Sequence, residues 1–228
     1  MKNKISECIQ SAVNNVVNGS SVMVGGFGQA GTPFNLVDAL VEKELRNLVI
    51  ICNSISQVAS LVENRCVARL ISSFPVWVDR SRPNPLDEQI RTGVIKVEIV
   101  PQGTLAERIR AGGVGIGAFY AHTGVGTVVE EGKEKRGFEG SEYLLEYGLK
   151  ADIALIKAFR GDKNGNLVYN RSARNYNPIM AMGSRFTIVE VEEIVPESEL
   201  APEAIITPGL LIDLIIKTPK KGQWMYKN

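Results

Sequence analysis

The sequence predicts an α/β protein built on an open, mostly parallel sheet flanked by helices. Three observations carry this. Short apolar runs such as Leu48-Val49-Ile50-Ile51-Cys52 and Ile153-Ala154-Leu155-Ile156 have the continuous pattern of strands buried on both faces. Segments with three- and four-residue apolar steps lie between such runs, as βα units require. A dense glycine stretch, Gly25 to Gly31, joins one of the strands to a helix.

The elements follow in order. Ile5, Cys8, Ile9, Ala12, Val13, Val16 and Val17 fall at helical steps, and Asn18-Gly19 ends them as a C-terminal cap. Val22-Met23-Val24 is a short strand. Thr32-Pro33 reads as an N-cap with proline at the first helical position, and Leu36, Val37, Leu40 and Val41 stripe the helix behind it. Leu48 to Cys52, Val67 to Ile71 and Val94 to Val100 are strands. Pro75 to Pro85, carrying Asp79-Arg80-Ser81-Arg82, is a loop. After Pro101-Gln102-Gly103-Thr104 a short helix runs from Leu105 to Arg110 and stops at Gly112-Gly113. Asn164-Gly165 is a hairpin turn between Ile156 and Leu167-Val168-Tyr169. Phe186 to Ile194 alternates as a strand with one wet face, and Leu210 to Ile216 is the last strand. No composition break marks a boundary, so residues 1–228 are expected to form one domain.

Composition excludes several classes. Lys and Arg number 26 against 25 Asp and Glu, a formal charge of +1, so no basic field exists for nucleic acid. No apolar run has the length of a membrane span, and the N-terminus does not read as a signal peptide. Three cysteines, Cys8, Cys52 and Cys66, without C-x-x-C spacing fit a reduced, cytoplasmic setting. One histidine, His122, with these cysteines makes no zinc site, and no metal is expected. No serine sits in a G-x-S-x-G elbow to partner His122, whose expected role is packing or surface.

Gly26-Phe27-Gly28-Gln29-Ala30-Gly31 is a literal G-x-G-x-x-G between strand and helix. A dinucleotide site also needs an acid at the end of the second strand. Cys52-Asn53-Ser54 stands there, so that reading lacks its second support. What survives is physical: a glycine loop before a helix presents backbone N–H groups to an anion or a developing oxyanion.

Asn18-Gly19-Ser20-Ser21-Val22-Met23-Val24-Gly25-Gly26-Phe27 with Gly31-Thr32-Pro33 resembles the signature of the family I coenzyme A transferases, in particular their α subunits. Further matches are Pro101 to Glu107, Thr123-Gly124-Val125-Gly126-Thr127, Ala173-Arg174-Asn175-Tyr176-Asn177-Pro178 and Thr207-Pro208-Gly209. The resemblance implies ping-pong transfer of CoA between an acyl-CoA and a short-chain carboxylic or 3-oxo acid. It needs no cofactor besides the CoA thioester substrate. The family's nucleophilic glutamate lies in a Ser-Glu-Asn-Gly motif of a separate β subunit. Here the one Glu-Asn pair, Glu63-Asn64, precedes Arg65 and reads as a helix end or loop. The implied partner is therefore a β subunit carrying the glutamate, in an α2β2 or larger assembly. The resemblance implies CoA binding by Gly25, Gly26, Phe27, Gly28, Gln29, Ala30 and Gly31. It implies oxyanion or substrate support by Gln102 and Asn53. The alternatives for Gln102 and Asn53 are a helix cap and a strand cap; for Arg171, Arg174 and Lys163 the default is solvated charge. Two segments depart from the family pattern, Ser54 to Gln57 and Phe74 to Pro85, both expected near the acyl pocket. The alternative activity on this scaffold is acyl-CoA hydrolysis or decarboxylation.

Overall fold

The computed structural model describes residues 3–77, 81 and 84–218. Its main sheet holds β1 (Ser21–Val24), β2 (Leu48–Ser54), β3 (Val67–Phe74), β4 (Lys96–Ile99), β8 (Ala151–Gly161), β9 (Leu167–Val168), β10 (Ser184–Ile194) and β11 (Leu214–Lys217). The order is β11-β10-β8-β1-β2-β3-β4, parallel throughout, with β9 antiparallel beside β8. β1 is central. Strands added after it run to one edge, and β8, β10 and β11 run to the other. The crevice at the carboxyl ends of β1 and β8 is thus the topological switch point, where open α/β sheets bind ligands.

Alternation along each strand feeds two cores. Val22, Val24, Ile50, Cys52, Leu155 and Ile188 face α2 (Phe34–Glu42) and α3 (Ala59–Glu63). Met23, Ile51, Ala154, Ile156 and Val189 face α5 (Gln102–Val114) and α6 (Asn177–Gly183). A short helix α4 (Pro85–Arg91) packs near α3, capped by Asn84, whose side chain accepts from the Leu86 and Asp87 N–H groups.

A second sheet, which no apolar run in the sequence foretells, orders β5 (Ala118–Ala121), β7 (Ser141–Tyr147) and β6 (Lys135–Phe138) antiparallel as β5-β7-β6. Its aromatic residues meet edge to face, as Tyr120 with Phe138 and Phe138 with Tyr143. Buried Glu146 ties it down, with the Lys133 amine at 2.5 Å and the Arg108 guanidinium at 3.9 Å. His122 follows β5 and packs on this sheet, its Nδ1 2.8 Å from the Glu142 carbonyl oxygen and its ring against Tyr143.

Four sequence expectations are corrected. The first helix shrinks to α1 (Ile9–Ala12), because Ile5 lies beside the edge strand β11: the Ser6 N–H donates to the Ile215 carbonyl and the Ile215 N–H to that of Lys4. The helix expected to stop at Gly112-Gly113 runs on to Gly115, which takes the left-handed C-cap at φ +83°. Gly112 is a packing residue: a Cβ there would stand 2.2 Å from the Leu149 carbonyl oxygen. The strand around Phe186–Ile194 has no continuous wet face, since Thr187 to Val191 are all buried, Glu190 included. The last strand starts at Leu214, after a 3-10 turn over Gly209–Leu211. The Asn164-Gly165 turn forms as expected, with Gly165 at φ +96° and Gly161 opposite Leu167.

Candidate active site

The glycine loop leaves β1 at the switch point and folds on itself. Phe27 and Ala30 exchange backbone hydrogen bonds of 3.0 and 3.1 Å, so Gly28 and Gln29 form the tip of a tight turn. The turn needs left-handed residues, and Gly26, Gly28 and Gly31 supply φ of +108°, +58° and +69°. Its carbonyls are gripped from behind. Gln57 Nε2 donates to the Gly25 and Val24 carbonyls at 2.6 and 3.3 Å, and Thr32 Oγ1 to Gly28 at 2.8 Å. Asn175 Nδ2 donates to the Ala30 carbonyl at 2.9 Å and Asn177 Nδ2 to that of Gly31 at 3.0 Å. The Gly28 and Gln29 N–H groups at the tip have no hydrogen bond among the described residues.

Two details depart from expectation here. Thr32 does not cap α2; its hydroxyl serves the loop, Pro33 takes the N-cap position, and no side chain of that cap bonds the helix. Ser54 to Gln57 forms a 3-10 turn with a capping box, in which the Ser54 N–H donates to Gln57 Oε1 at 2.8 Å. This turn aims the Gln57 amide at the loop. The divergent segment thus braces the glycine loop from the end of β2. Of the other divergent segment, Val78, Asp79, Arg80, Arg82 and Pro83 lie outside the described residues.

Gln102 opens α5 beyond the carboxyl end of β4. Its side chain does not cap the helix; Nε2 donates to Asn53 Oδ1 at 3.2 Å. Asn53, 1% exposed at the end of β2, has its backbone carbonyl fixed by Ser72 Oγ at 3.1 Å. Tyr176 is buried beside them and its hydroxyl donates to the Gln102 carbonyl at 2.8 Å. Burial pushes the Tyr176 phenol up to about 12, so it stays a neutral donor at physiological pH. A cavity of about 310 Å³ joins these parts, lined by Phe27, Gln102, Gly103, Ala106, Asn175, Tyr176 and Ile179. Phe27 and Gln102, from the two sequence-predicted groups, therefore share one cavity. Asn175, Tyr176 and Asn177 belong to a family-like motif with no assigned role; their signal is a run of amides and an aromatic just before Pro178.

Lys163 pairs with Glu197 at 3.2 Å and does not line this cavity. Arg171 and Arg174 are exposed on a 3-10 turn whose Ala173 carbonyl packs on Gly31. Glu63 and Asn64 sit at the end of α3, where Asn64 is the C-cap. Among the described residues no group of three or more His, Cys, Asp or Glu could hold a metal ion.

The sequence model of the family described as Coenzyme A transferase matches residues 6–218. The chain belongs to the coenzyme A transferase family. It is 47% identical to the A-subunit of 3-oxoadipate CoA-transferase from Pseudomonas putida, over 95% of this chain and 94% of the relative. It is 44% identical to the alpha subunit of acetate CoA-transferase from Escherichia coli K12, over 95% of this chain and 97% of the relative. Within the family this is therefore a chain of the alpha-subunit type. Its fold matches an acyl-CoA transferase of Escherichia coli O157:H7 with a TM-score of 0.80 at 21% identity. That match covers 94% of this chain and 47% of the other, so the chain spans about half the length of that solved enzyme. The family and the parallel α/β architecture read from the sequence are both borne out.

Proposed function

We propose that this CoA-transferase chain binds the thioester end of an acyl-CoA, while a second subunit supplies the nucleophilic glutamate. The observation that carries it is the Gln102 side chain, hydrogen-bonded to Asn53, lining one cavity with Phe27 of the glycine loop. That arrangement offers neutral donors to an oxyanion and contributes no described carboxylate to attack with.

The chemistry runs in balanced steps. The partner's glutamate oxygen attacks the thioester carbonyl, and the carbonyl oxygen becomes an oxyanion. Its collapse expels CoA thiolate and leaves an acyl-glutamyl anhydride. The thiolate then attacks the glutamyl carbonyl and expels the first acid, leaving a glutamyl-CoA thioester. The acceptor acid reverses these steps. Each tetrahedral stage needs donors placed beforehand, and the Gln102 amide with the Gly28 and Gln29 N–H groups are the donors assigned here. No redox change occurs, so the scheme calls for no cofactor beyond the CoA substrate. The acid served is a short-chain carboxylic or 3-oxo acid, the classes of the acetate and 3-oxoadipate in the relatives' names. The assembly is a hetero-oligomer of αβ units. A cytoplasmic setting fits three free cysteines, two of them buried.

The test is acyl transfer by the chain alone and by the chain with its β partner, from acetyl-CoA to a panel of carboxylates. The expected result is negligible turnover alone and ping-pong turnover together. Strong turnover by the chain alone refutes the division of labour. Release of free CoA that does not depend on an acceptor acid assigns hydrolysis instead.

A further inference from the structure

Glu190 lies in β10 and is 1% exposed, yet no step of acyl transfer uses it. Carboxylates are almost never buried this far without partners. Strand parity puts it with Ile188 on the face of the sheet that meets α2, beside Lys157 of β8. Glu190 Oε2 accepts the Leu36 N–H at 3.2 Å, and Oε1 accepts from Asn35 Nδ2 at 3.3 Å. Both donors belong to the first turn of α2, the helix that the glycine loop feeds and that Pro33 leaves without a side-chain cap. The cap comes instead from 154 residues along the chain.

The surrounding charges are few. The Lys157 amine stands 3.9 Å from Glu190 and 3.6 Å from Glu192. Asp38, further along α2, accepts from Ser60 Oγ, and burial raises its pKa. On the other side β11 presents Ile216. Burial pushes the Glu190 carboxyl up to about 7, against the pull of Lys157 and the α2 donors. The ionised form is thus held at a cost to the fold.

We propose that Glu190 is a positioning residue whose carboxylate fixes the first turn of α2, and with it the glycine loop that receives the CoA thioester. The other flank of the loop rests on the same strand pair. The Lys157 N–H donates to Asn177 Oδ1 at 3.0 Å, and Asn177 grips the Gly31 carbonyl. A charged acceptor holds an N–H about twice as strongly as a neutral one. Protonation of Glu190 therefore loosens the turn and weakens acyl-CoA binding. The inference rests on the reading of the glycine loop as the CoA site.

The experiment measures KM for acetyl-CoA and kcat from about pH 5.5 to about pH 8.5. It uses the chain with its β partner, as wild type, Glu190→Gln and Lys157→Met. In the wild type KM rises about tenfold as the pH falls through about 7, with little change in kcat. Glu190→Gln keeps the raised KM at every pH. Lys157→Met removes the cation that favours the carboxylate and moves the inflection to higher pH. Glu190→Gln with the wild-type KM profile, or equal losses through kcat alone, overturns the proposal. Should Glu190→Gln not fold, an unmoved inflection in Lys157→Met overturns it equally. Absence of CoA transfer in the wild type refutes the functional reading instead. Amide exchange at Leu36 and Gly28 to Gly31 then decides the clamp by itself: faster exchange in Glu190→Gln upholds it, and unchanged exchange overturns it.

Discussion

Adding one methyl group at Gly28 and at Gly31 separates the two uses of the glycine loop. At Gly31 a Cβ would stand 2.3 Å from the Ala173 carbonyl oxygen and 2.9 Å from Asn177 Nδ2, at φ +69°. The obstacle is backbone, and that carbonyl is itself held by Asn177 at 2.8 Å. Overpacking of this kind costs about 1–3 kcal/mol, and the left-handed backbone adds about 1–2 kcal/mol. Gly31→Ala should therefore lose stability and activity together. At Gly28, φ +58°, nothing lies within 4 Å of the added Cβ. The fold then loses only the left-handed penalty of about 1–2 kcal/mol. In a chain of this size each kcal/mol moves Tm by about 2–4 °C.

The ligand meets a different situation at Gly28. The methyl stands on the exposed tip, beside the N–H groups assigned to the thioester end of CoA. kcat/KM for acyl-CoA should fall about tenfold or more, equivalent to roughly 1.4 kcal/mol of lost transition-state binding. The assay is calorimetric melting of the αβ complex beside steady-state transfer from acetyl-CoA. Gly28→Ala with the small Tm loss and kcat/KM within about twofold of wild type refutes the reasoning, since the loop would then be a turn and nothing more. Saturable NAD binding without any CoA-ester effect would refute the function.

Gln102→Ala should lower kcat by about 10²–10³ with a smaller change in KM, the usual loss for one oxyanion donor; a wild-type kcat removes Gln102 from the site. Stability should depend on pH through Glu190. Its pKa is raised on folding from the ordinary 4.5 to about 7, so the native state binds more protons between these values. That contribution is full below about pH 4.5 and is lost as the pH rises through about 7, about 3 kcal/mol in all. Denaturant titrations at intervals across this window should show the decline in wild type and not in Glu190→Gln; parallel curves would contradict it.

The legible parts of the fold are those whose signal is local. β2 and β8 are continuous apolar runs, and the Asn164-Gly165 turn and the glycine loop are fixed by residues that tolerate positive φ. α4 had a local signal too, Asn84-Pro85 followed by Asp87 and Glu88, the cap, proline and acids of a helix start. What the sequence hides depends on distant partners. Gly112 and Gly113 read as a helix end because glycine is a poor helix former, but the Leu149 backbone and Met182 need that space. The small sheet is half exposed and holds Glu146 among its buried residues, so no apolar run announces it. Glu190 looks like the wet position of an alternating strand, since its donors lie on α2 at the other end of the chain. In the site, Gln102 and Asn53 were marked by motif and position. Gln57 carries no such mark and Asn177 stands in a matched motif without an assigned role, because their task is to hold backbone.

That task explains the chemistry of the residues around the loop. Five loop carbonyls, those of Val24, Gly25, Gly28, Ala30 and Gly31, are taken by Gln57, Thr32, Asn175 and Asn177. Every one of these donors is a neutral amide or hydroxyl. With the carbonyls held, the tip N–H groups are left without a partner among the described residues, and in the proposed site such donors are in place before any charge develops. A lysine or arginine in any of the four positions would grip a carbonyl as well. It would also bind the substrate carboxylate and the anionic intermediate alike, which tightens the ground state without lowering the barrier. On the proposed reading, neutral bracing keeps the loop's field weak toward carboxylates at rest and directed toward the oxyanion that forms. The same logic puts the carboxylate of Glu190 behind the loop, buried against α2, where it orders the turn without facing the reacting atoms.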